Sequence, residues 1–472
     1  MCGITALLIN TQTNHSNLTQ FLRQSILQLQ HRGYDGAGIS LPSNNEQIVI
    51  RKGQGLIKNV LTDSVLEDLL SEAGIPPSYG IAHTRYKTKG ECSNGASQPL
   101  LSENNKLCLV HNGQVETKKY LPDSIYILNL IERRINSDPN PEPNQIFDTI
   151  QHIFKTLKGS YSCVLMIQDF GLVVFRDPHG IRPLIYATNQ EGDFGVASED
   201  IALRNLPIFQ SNTNYNNLLA GECLIIQPNQ PILKRNLLDG PAFNLPCIFE
   251  YIYLAHPDSI LNDISVHKAR EVLGELLAEE IKNRVTEHID YVISIPETSC
   301  IATKILSQKI DTPYLSFLKL RKNREKARTF ILPTQEERIK AVSNKFEIDE
   351  TLKDKIKDKT ILIVDDSIVR GTTLGYVVQY IRESCHPAKI ILSSISPPVR
   401  FKNIYGIDIP DTEDLIASKY KNHLDIAKAL NADQVIYQDY SNMMRRFKEW
   451  GMQLEPPISN FESSLFSGTY IY

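Results

Sequence analysis

The second residue of the chain is a cysteine, and this position gives it an uncommon chemistry. If Met1 is removed, Cys2 carries a thiol and a free α-amine on one residue. A thiol must lose its proton before it attacks a carbonyl, and its ordinary pKa is about 8.5. The α-amine, whose ordinary pKa is about 7.7–8.0, can accept that proton without a histidine partner. We therefore predict an N-terminal nucleophile; the alternative is a small apolar residue that begins a strand.

Three later segments carry groups that such a nucleophile needs. Asn112 and Gly113 adjoin in "HNG", and a side-chain amide beside a glycine N–H provides two donors for an oxyanion. Arg85 offers a guanidinium fork for a carboxylate, and Asp123 could accept an α-amino group. Together they would present the side-chain amide of an α-amino acid to Cys2. Taken singly, they have structural alternatives: a turn asparagine, a surface arginine and a helix-capping aspartate.

A second candidate site lies in "ILIVDDSIVRGTT", at residues 361–373. The apolar residues predict a buried strand that delivers Asp365 and Asp366 to its carboxyl end, where ligands of open α/β sheets bind. A short loop with a glycine and hydroxyls precedes a predicted helix, and such a helix N-terminus suits a phosphate. Adjacent carboxylates suit ribose hydroxyls, Mg²⁺ or both. The alternative is an ordinary strand–turn–helix with acidic residues at the turn.

Hydrophobic patterns predict different architectures for the two halves. The first half shows many short strands with two or three helices. In the second half, helical stretches alternate with apolar runs, which is typical of a parallel sheet covered on both faces. These runs are residues 291–295, 360–366 and 389–395. Turn-forming residues at 238–247 predict the boundary between domains of residues 1–240 and 241–472, the second with a C-terminal helical extension.

Composition restricts the classes of function. Lys and Arg number 50 against 54 Asp and Glu, so the net charge of −4 gives no reason to expect nucleic acid or an anionic membrane as partner. No apolar run reaches the roughly 18 residues of a membrane span, and no secretory signal is visible. The 8 cysteines are scattered without a CxxC pair. This pattern argues against disulfides, a zinc site and an iron–sulfur cluster, and it favours a cytoplasmic protein.

The first half resembles the glutamine amidotransferases of the N-terminal-nucleophile class. The motifs that carry the resemblance are "MCGI" at the start, "HRGYDGAGI" at 31–39, "HTRY" at 83–86 and "HNG" at 111–113. It implies an α+β sandwich with αββα layers, in which Cys2 attacks the glutamine carboxamide and Asn112 and Gly113 stabilise the oxyanion. The residues that would bind glutamine are Arg85, Asp123 and Arg32.

The second half resembles the type I phosphoribosyltransferases, which have an α/β fold with a parallel sheet. Residues 361–373 resemble their loop for phosphoribosyl pyrophosphate (PRPP), and "IPETSC" at 295–300 resembles their pyrophosphate loop. The resemblance implies one Mg²⁺ per subunit, near Thr298, Asp365 and Asp366. The residues that would bind PRPP are Asp365, Asp366, Ser367, Arg370, Gly371, Thr372, Thr373 and Lys322.

Both halves together resemble the amidophosphoribosyltransferase family, through further stretches such as "FRDPHGIRPL" at 175–184 and "CIFEYIYLAHPDS" at 247–259. The resemblance implies that glutamine, PRPP and water give phosphoribosylamine, glutamate and pyrophosphate at the start of purine biosynthesis. Ammonia would travel between the sites along a closed path. The family also implies a homo-oligomer, a homotetramer, inhibited by purine nucleotides such as AMP and GMP. Without a propeptide or C-terminal CxxC, the chain resembles the branch that lacks an iron–sulfur cluster.

Departures from the family pattern leave two other functions open. Glu325 and Ala327 stand where the family has tyrosine and glycine in a basic flap predicted at 322–333, and His256 replaces an arginine. The altered flap is the one feature that favours a non-catalytic regulator that senses PRPP or nucleotides. The other alternative is a different N-terminal-cysteine amidotransferase, such as a glucosamine-6-phosphate synthase. That enzyme would need sugar-isomerase motifs in the second half, where the PRPP loop stands instead.

Overall fold

The computed structural model describes residues 1–10, 17–74, 76–86, 97–117, 121–135, 141–320, 346–409 and 411–472. Lys322 and the flap predicted at 322–333 lie outside the described residues. Across the part that is described, no helix is both long enough and apolar enough to span a membrane.

Two antiparallel sheets form the first half. Its strands are β1 (Gly3–Leu8), β2 (Gly36–Leu41), β3 (Val49–Gln54), β4 (Tyr79–Arg85), β5 (Leu100–Leu101), β6 (Leu107–Val115), β7 (Gly159–Ile167), β8 (Gly171–Arg176), β9 (Ile185–Asn189), β10 (Phe194–Ala197), β11 (Thr213–Asn217), β12 (Glu222–Ile226) and β13 (Leu233–Asn236). One sheet has the order β11-β9-β10-β1-β4-β2-β3 and the other β13-β12-β8-β7-β6-β5.

Helices cover the outer face of each sheet. They are α1 (Leu18–Gln28), α2 (Ile57–Val60), α3 (Asp63–Ala73), α4 (Asp123–Ile135), α5 (Pro143–Thr156) and α6 (Ile201–Arg204). Side chains alternate between the faces of a strand: in β1, Ile4 and Ala6 join the core between the sheets, whereas Leu7 packs under the helices. The helices α4 and α5 cover the second sheet. The predicted αββα sandwich is confirmed.

The strands of the second half are β14 (Ile260–Leu261), β15 (Ile264–Ser265), β16 (Tyr291–Ser294), β17 (Leu318–Leu320), β18 (Phe346–Ile348), β19 (Thr360–Asp365), β20 (Lys389–Ser394) and β21 (Gln434–Tyr437). Four of them form the central parallel sheet, in the order β16-β19-β20-β21. A π-helical turn (Glu250–Leu254) precedes them. The helices are α7 (Val266–Arg284), α8 (Cys300–Lys309), α9 (Lys353–Ile356), α10 (Thr372–Cys385), α11 (Ile416–Lys419), α12 (His423–Ala429), α13 (Tyr440–Gly451) and α14 (Ser464–Ser467).

Apolar clusters cover both faces of the parallel sheet, as the continuous apolar runs predict. Leu362 and Val364 of β19 face one cluster, and Ile361 and Ile363 face the other. The first cluster also contains Ile181 of the first half, so the two halves share one hydrophobic core. The predicted parallel sheet is confirmed; the domain boundary between residues 240 and 241 stays a prediction.

A glycine allows the close packing of α7 on α8. A Cβ at Gly274 would lie 2.3 Å from the carbonyl oxygen of Ala302. We expect Gly274→Ala to destabilise the protein by about 2 kcal/mol, because two backbones must separate, and to lower the melting temperature measured by calorimetry. Gly375→Ala in α10 is the control, since its nearest neighbour would lie 3.7 Å away and alanine favours a helix by about 1 kcal/mol. Equal melting temperatures for the two variants would contradict this account.

Candidate functional site

The first site forms where the start of the chain meets β6. The backbone N–H of Cys2 donates to Oδ1 of Asn112 at 3.2 Å, and Cys2 itself is partly exposed. Asn112 is 1% exposed, and its Nδ2 makes no hydrogen bond in the described structure. An unpartnered buried amide is costly unless a ligand satisfies it. This amide is therefore available to an oxyanion that forms at a substrate carbonyl beside Cys2.

Gly113 occupies a position that only glycine tolerates. Its φ is +150°, and a Cβ there would lie 2.1 Å from the carbonyl oxygen of Ser160 on β7. A loop of the second half also packs on it, because a Cβ at Gly406 would lie 2.9 Å from the carbonyl carbon of Gly113. The backbone beside Asn112 is thus fixed from two sides.

Arg85 and Asp123 lie at the edges of the same site. Gly3 of β1 is opposite Thr84 of β4, so the next position along this register places Cys2 opposite Arg85. Asp123, the first residue of α4, accepts a hydrogen bond at 3.0 Å from the N–H of Val115, at the end of β6. Burial raises the pKa of Asp123, against the effect of this hydrogen bond. The structure thus places Arg85 opposite Cys2 and Asp123 beside the end of β6. That both residues bind glutamine stays a prediction.

Arg32 is a buried member of an ion-pair cluster that joins the two halves. Its Nη2 lies 2.7 Å from Oε2 of Glu250, and its Nε pairs with Glu199. His31 also binds Glu199 at 2.7 Å, and Arg182 lies 3.3 Å from Glu250. Burial opposes these charges, yet Arg32 and His31 hold the pKa of Glu199 well below its usual range. Two carboxylates thus bind the Arg32 guanidinium. That Arg32 also contacts glutamine stays a prediction.

The second site lies at the carboxyl end of β19. Asp365 ends the strand, and its Oδ1 accepts a hydrogen bond at 2.9 Å from the N–H of Asp366. Asp366 in turn accepts one at 2.8 Å from the hydroxyl of Ser367. The side chains of all three are partly exposed at the end of a buried strand. This arrangement leaves a carboxylate pair at the edge of the sheet where a ligand can enter.

The loop after these aspartates ends in a helix N-terminus. Gly371 has a φ of +74°, and a Cβ there would lie 2.7 Å from Leu430. Thr372 and Thr373 then begin α10, whose first N–H groups have no partner within the helix. Such groups bind anions, phosphate above all. Arg370 is exposed on this loop and lies 3.2 Å from Asp414.

Thr298 belongs to the neighbouring loop of the same sheet edge. β16 pairs in parallel with β19, with Ser294 opposite Val364, so the loops that follow both strands meet at this edge. In the described residues, no group of three or more His, Cys, Asp or Glu side chains could hold a metal ion by itself. Mg²⁺ commonly takes one or two carboxylates together with substrate phosphates. The oxygen donors of Asp365, Asp366 and Thr298 fit that pattern.

Comparison with known proteins joins the two sites in one family. Residues 83–205 match the family model of a glutamine amidotransferase domain, and residues 263–395 that of a phosphoribosyl transferase domain. An amidophosphoribosyltransferase of Haemophilus influenzae is 34% identical over 100% of this chain and 93% of that protein. The chain belongs to the amidophosphoribosyltransferase family. Amidophosphoribosyltransferases of Escherichia coli K12, at 34% identity, and Saccharomyces cerevisiae, at 32%, each match over 100% of this chain and 92% of their own length.

Solved structures agree with this assignment to the amidophosphoribosyltransferases. A glutamine PRPP amidotransferase of B. subtilis, in complex with ADP and GMP, superposes with a TM-score of 0.79 at 27% identity, covering 100% of this chain and 97% of that one. A structure described as the allosteric regulatory enzyme of purine biosynthesis superposes with a TM-score of 0.80 at 28% identity, covering 100% and 96%. The family resemblance read from the motifs is confirmed.

The sequence patterns did not indicate a tyrosine that interacts with residues of both sites. Tyr253, on the π-helical turn, interacts electrostatically with Asp366 and Asp365 of the second site. It interacts in the same way with Tyr86 and Tyr34, next to the first. The residue is 46% exposed, so solvent reaches it in this structure. The aromatic run around it, "FEYIY", is the one signal in the sequence that could have indicated this position.

Proposed function

We propose that this protein hydrolyses glutamine at Cys2 and transfers the ammonia to PRPP, giving phosphoribosylamine, glutamate and pyrophosphate. The observation that carries the proposal is the presence of two complementary sites on one shared core. An N-terminal thiol stands beside an unpartnered buried amide, and a carboxylate pair stands before a helix N-terminus. Family membership places the reaction in purine biosynthesis.

At the first site, glutamine would be held by its α-carboxylate on Arg85 and its α-amine on Asp123. The α-amine of Cys2, oriented by Oδ1 of Asn112, takes the thiol proton as sulfur attacks the carboxamide carbon. The oxyanion accepts hydrogen bonds from Nδ2 of Asn112 and the N–H of Gly113. The amine then returns the proton to the leaving nitrogen, and ammonia departs. Water hydrolyses the thioester and regenerates the thiol.

This chemistry requires that Cys2 be the first residue of the active chain. In the structure Met1 is 6% exposed, and Nη1 of Arg182 donates to its sulfur at 3.2 Å. The proposal therefore includes the removal of Met1, and the intact mass of the purified active protein reports it directly.

At the second site, the N–H groups of the loop at 367–373 and of α10 would bind the 5′-phosphate of PRPP. Asp365 and Asp366 would receive the ribose hydroxyls and, with Thr298, lie next to the metal. Mg²⁺, when bound, supplies positive charge that stabilises the departing pyrophosphate. Ammonia attacks C1 of the ribose as the bond from C1 to the pyrophosphate oxygen breaks. Arg370 adds a cation at the entrance.

Free ammonia is mostly protonated in water at pH 7 and is then no nucleophile, so its route must exclude water. The interactions of Tyr253 with residues of both sites support a route along the π-helical turn. Purine nucleotides such as AMP and GMP would inhibit the enzyme; the relative solved with ADP and GMP supports this part. The proposal also includes a homotetramer without an iron–sulfur cluster, and a cytoplasmic location that rests on the scattered cysteines.

The test is an assay of glutamine hydrolysis with and without PRPP and Mg²⁺. We expect PRPP to stimulate glutamate release, with one phosphoribosylamine formed per glutamate. Glutamate release that depends on fructose 6-phosphate would instead assign the chain to the glucosamine-6-phosphate synthases. A protein that binds PRPP without turnover of either substrate would be a regulator. Either of these outcomes would overturn the proposal.

A further inference from the structure

A buried arginine on α7 holds the π-helical turn by its backbone. Arg270 is 3% exposed. Its Nε donates to the carbonyl oxygen of Tyr251 at 3.2 Å, and its Nη2 donates to those of Tyr253 at 3.3 Å and Ala255 at 2.8 Å. One planar group thus binds three carbonyls at the end of the turn.

The chemistry of this contact favours arginine over any other residue. The last carbonyls of a helical segment have no partner within the segment, and a cation at that end is favourable. The turn itself closes through a hydrogen bond from the N–H of Ala255 to the carbonyl of Glu250 at 3.0 Å. A guanidinium presents several donors in one rigid plane, whereas lysine presents a single ammonium. Arg270 therefore fixes the path of the backbone as well as supplying charge.

The turn carries a functional side chain toward each half. Glu250 reaches Arg32 at 2.7 Å and Arg182 at 3.3 Å in the cluster behind the first site. Tyr253 interacts with Asp366 at the second site. A shift of the turn would therefore move both contacts together.

We propose that Arg270 is a positioning residue for ammonia transfer, which acts by holding the π-helical turn and with it Tyr253 in place between the sites. The inference rests on the proposed function. Arg270 touches no reacting atom in this account; it holds in place the turn beside which ammonia would pass.

The test must distinguish the effect of the positive charge of Arg270 from that of its planar guanidinium, which reaches three carbonyls. Its charge acts on Asp366 and Glu199, and burial lowers its pKa to about 10, so it stays protonated at pH 7. Arg270→Lys keeps the positive charge and loses the fork. Arg270→Met removes both while it keeps most of the length. If the shape is what matters, both variants will show the same defect, and the lysine variant will not be rescued by its charge.

The experiment measures glutamate and phosphoribosylamine in the same reaction, with glutamine or with ammonium chloride as nitrogen source. We expect both variants to lose glutamine-dependent phosphoribosylamine roughly tenfold, since small displacements near a reaction path have large effects. Glutamate release should continue, so the ratio of glutamate to phosphoribosylamine rises well above one. Synthesis from ammonium chloride should stay within about twofold of wild type, because ammonia then enters the second site from solvent.

Arg445→Met, on the exposed side of α13, is the matched control and should keep the ratio near one. A ratio that stays near one in both Arg270 variants would overturn the inference, as would an equal loss of both activities. Should Arg270→Met not fold, Arg270→Lys alone decides. A wild-type enzyme that makes no phosphoribosylamine from glutamine would instead defeat the proposed function.

Discussion

Cys2→Ala will abolish the use of glutamine and leave the synthesis of phosphoribosylamine from ammonia intact. The alanine removes the atom that forms the thioester, and loss of a covalent nucleophile lowers turnover by at least about 10⁴-fold. The second site lies in the other half of the chain and keeps all its groups. The measurement is phosphoribosylamine formed with glutamine and, separately, with ammonium chloride.

Cys385→Ala provides the control for this prediction. Cys385 is buried at the end of α10, remote in sequence from Cys2. The control should retain both activities, with at most a small loss of stability from the buried cavity. A folded Cys2→Ala protein that has lost the ammonia-dependent activity as well would contradict the separation of the two sites.

The sequence was most informative where chemistry depends on neighbours along the chain. Asp365, Asp366 and the glycine before α10 follow one buried strand, so their spatial relation is set by a few dihedral angles. The apolar runs likewise predict a parallel sheet, because a strand buried on both faces has no polar side. Cys2, Asn112 and Arg85 are far apart in sequence. The motif resemblance brought them together. Physically, the pairing of β1 with β4 sets Cys2 opposite Arg85, and a hydrogen bond joins Cys2 to Asn112 of the other sheet.

Long-range packing explains what the sequence could not provide. Glu199 meets Arg32 across the first half and Glu250 reaches it from the second, and nothing in the local pattern around any of the three indicates the others. The contact of Gly406 on Gly113 is of the same kind, since it joins a loop of one half to a strand of the other. Tyr253 and Arg270 are ordinary residues in the sequence, and the role proposed for them depends on contacts that only the folded chain makes.

Asp365→Ala will remove phosphoribosylamine formation with either nitrogen source. The residue ends β19 and pairs through its Oδ1 with the N–H of Asp366, so alanine loses a ligand of the ribose and metal end and also loosens its neighbour. We expect a fall of roughly 10²–10³-fold, the size found when one preorganised electrostatic group is lost. Phosphoribosylamine formation with glutamine and with ammonium chloride is the measurement.

Asp365→Asn distinguishes charge from shape in that experiment, because it keeps the oxygen that accepts the Asp366 N–H. We expect it to remain strongly impaired, since Mg²⁺ and ribose hydroxyls require the negative charge. Asp358→Asn is the control: Asp358 lies in the turn before β19 with a φ of +55°, a conformation that asparagine adopts readily, so activity should be unchanged. Undiminished phosphoribosylamine formation by Asp365→Ala would refute the role of Asp365.

The Cys2 and Asp365 variants thus differ in their response to added ammonia. Ammonia can replace the product of the first site, whereas nothing can replace the acceptor bound at the second.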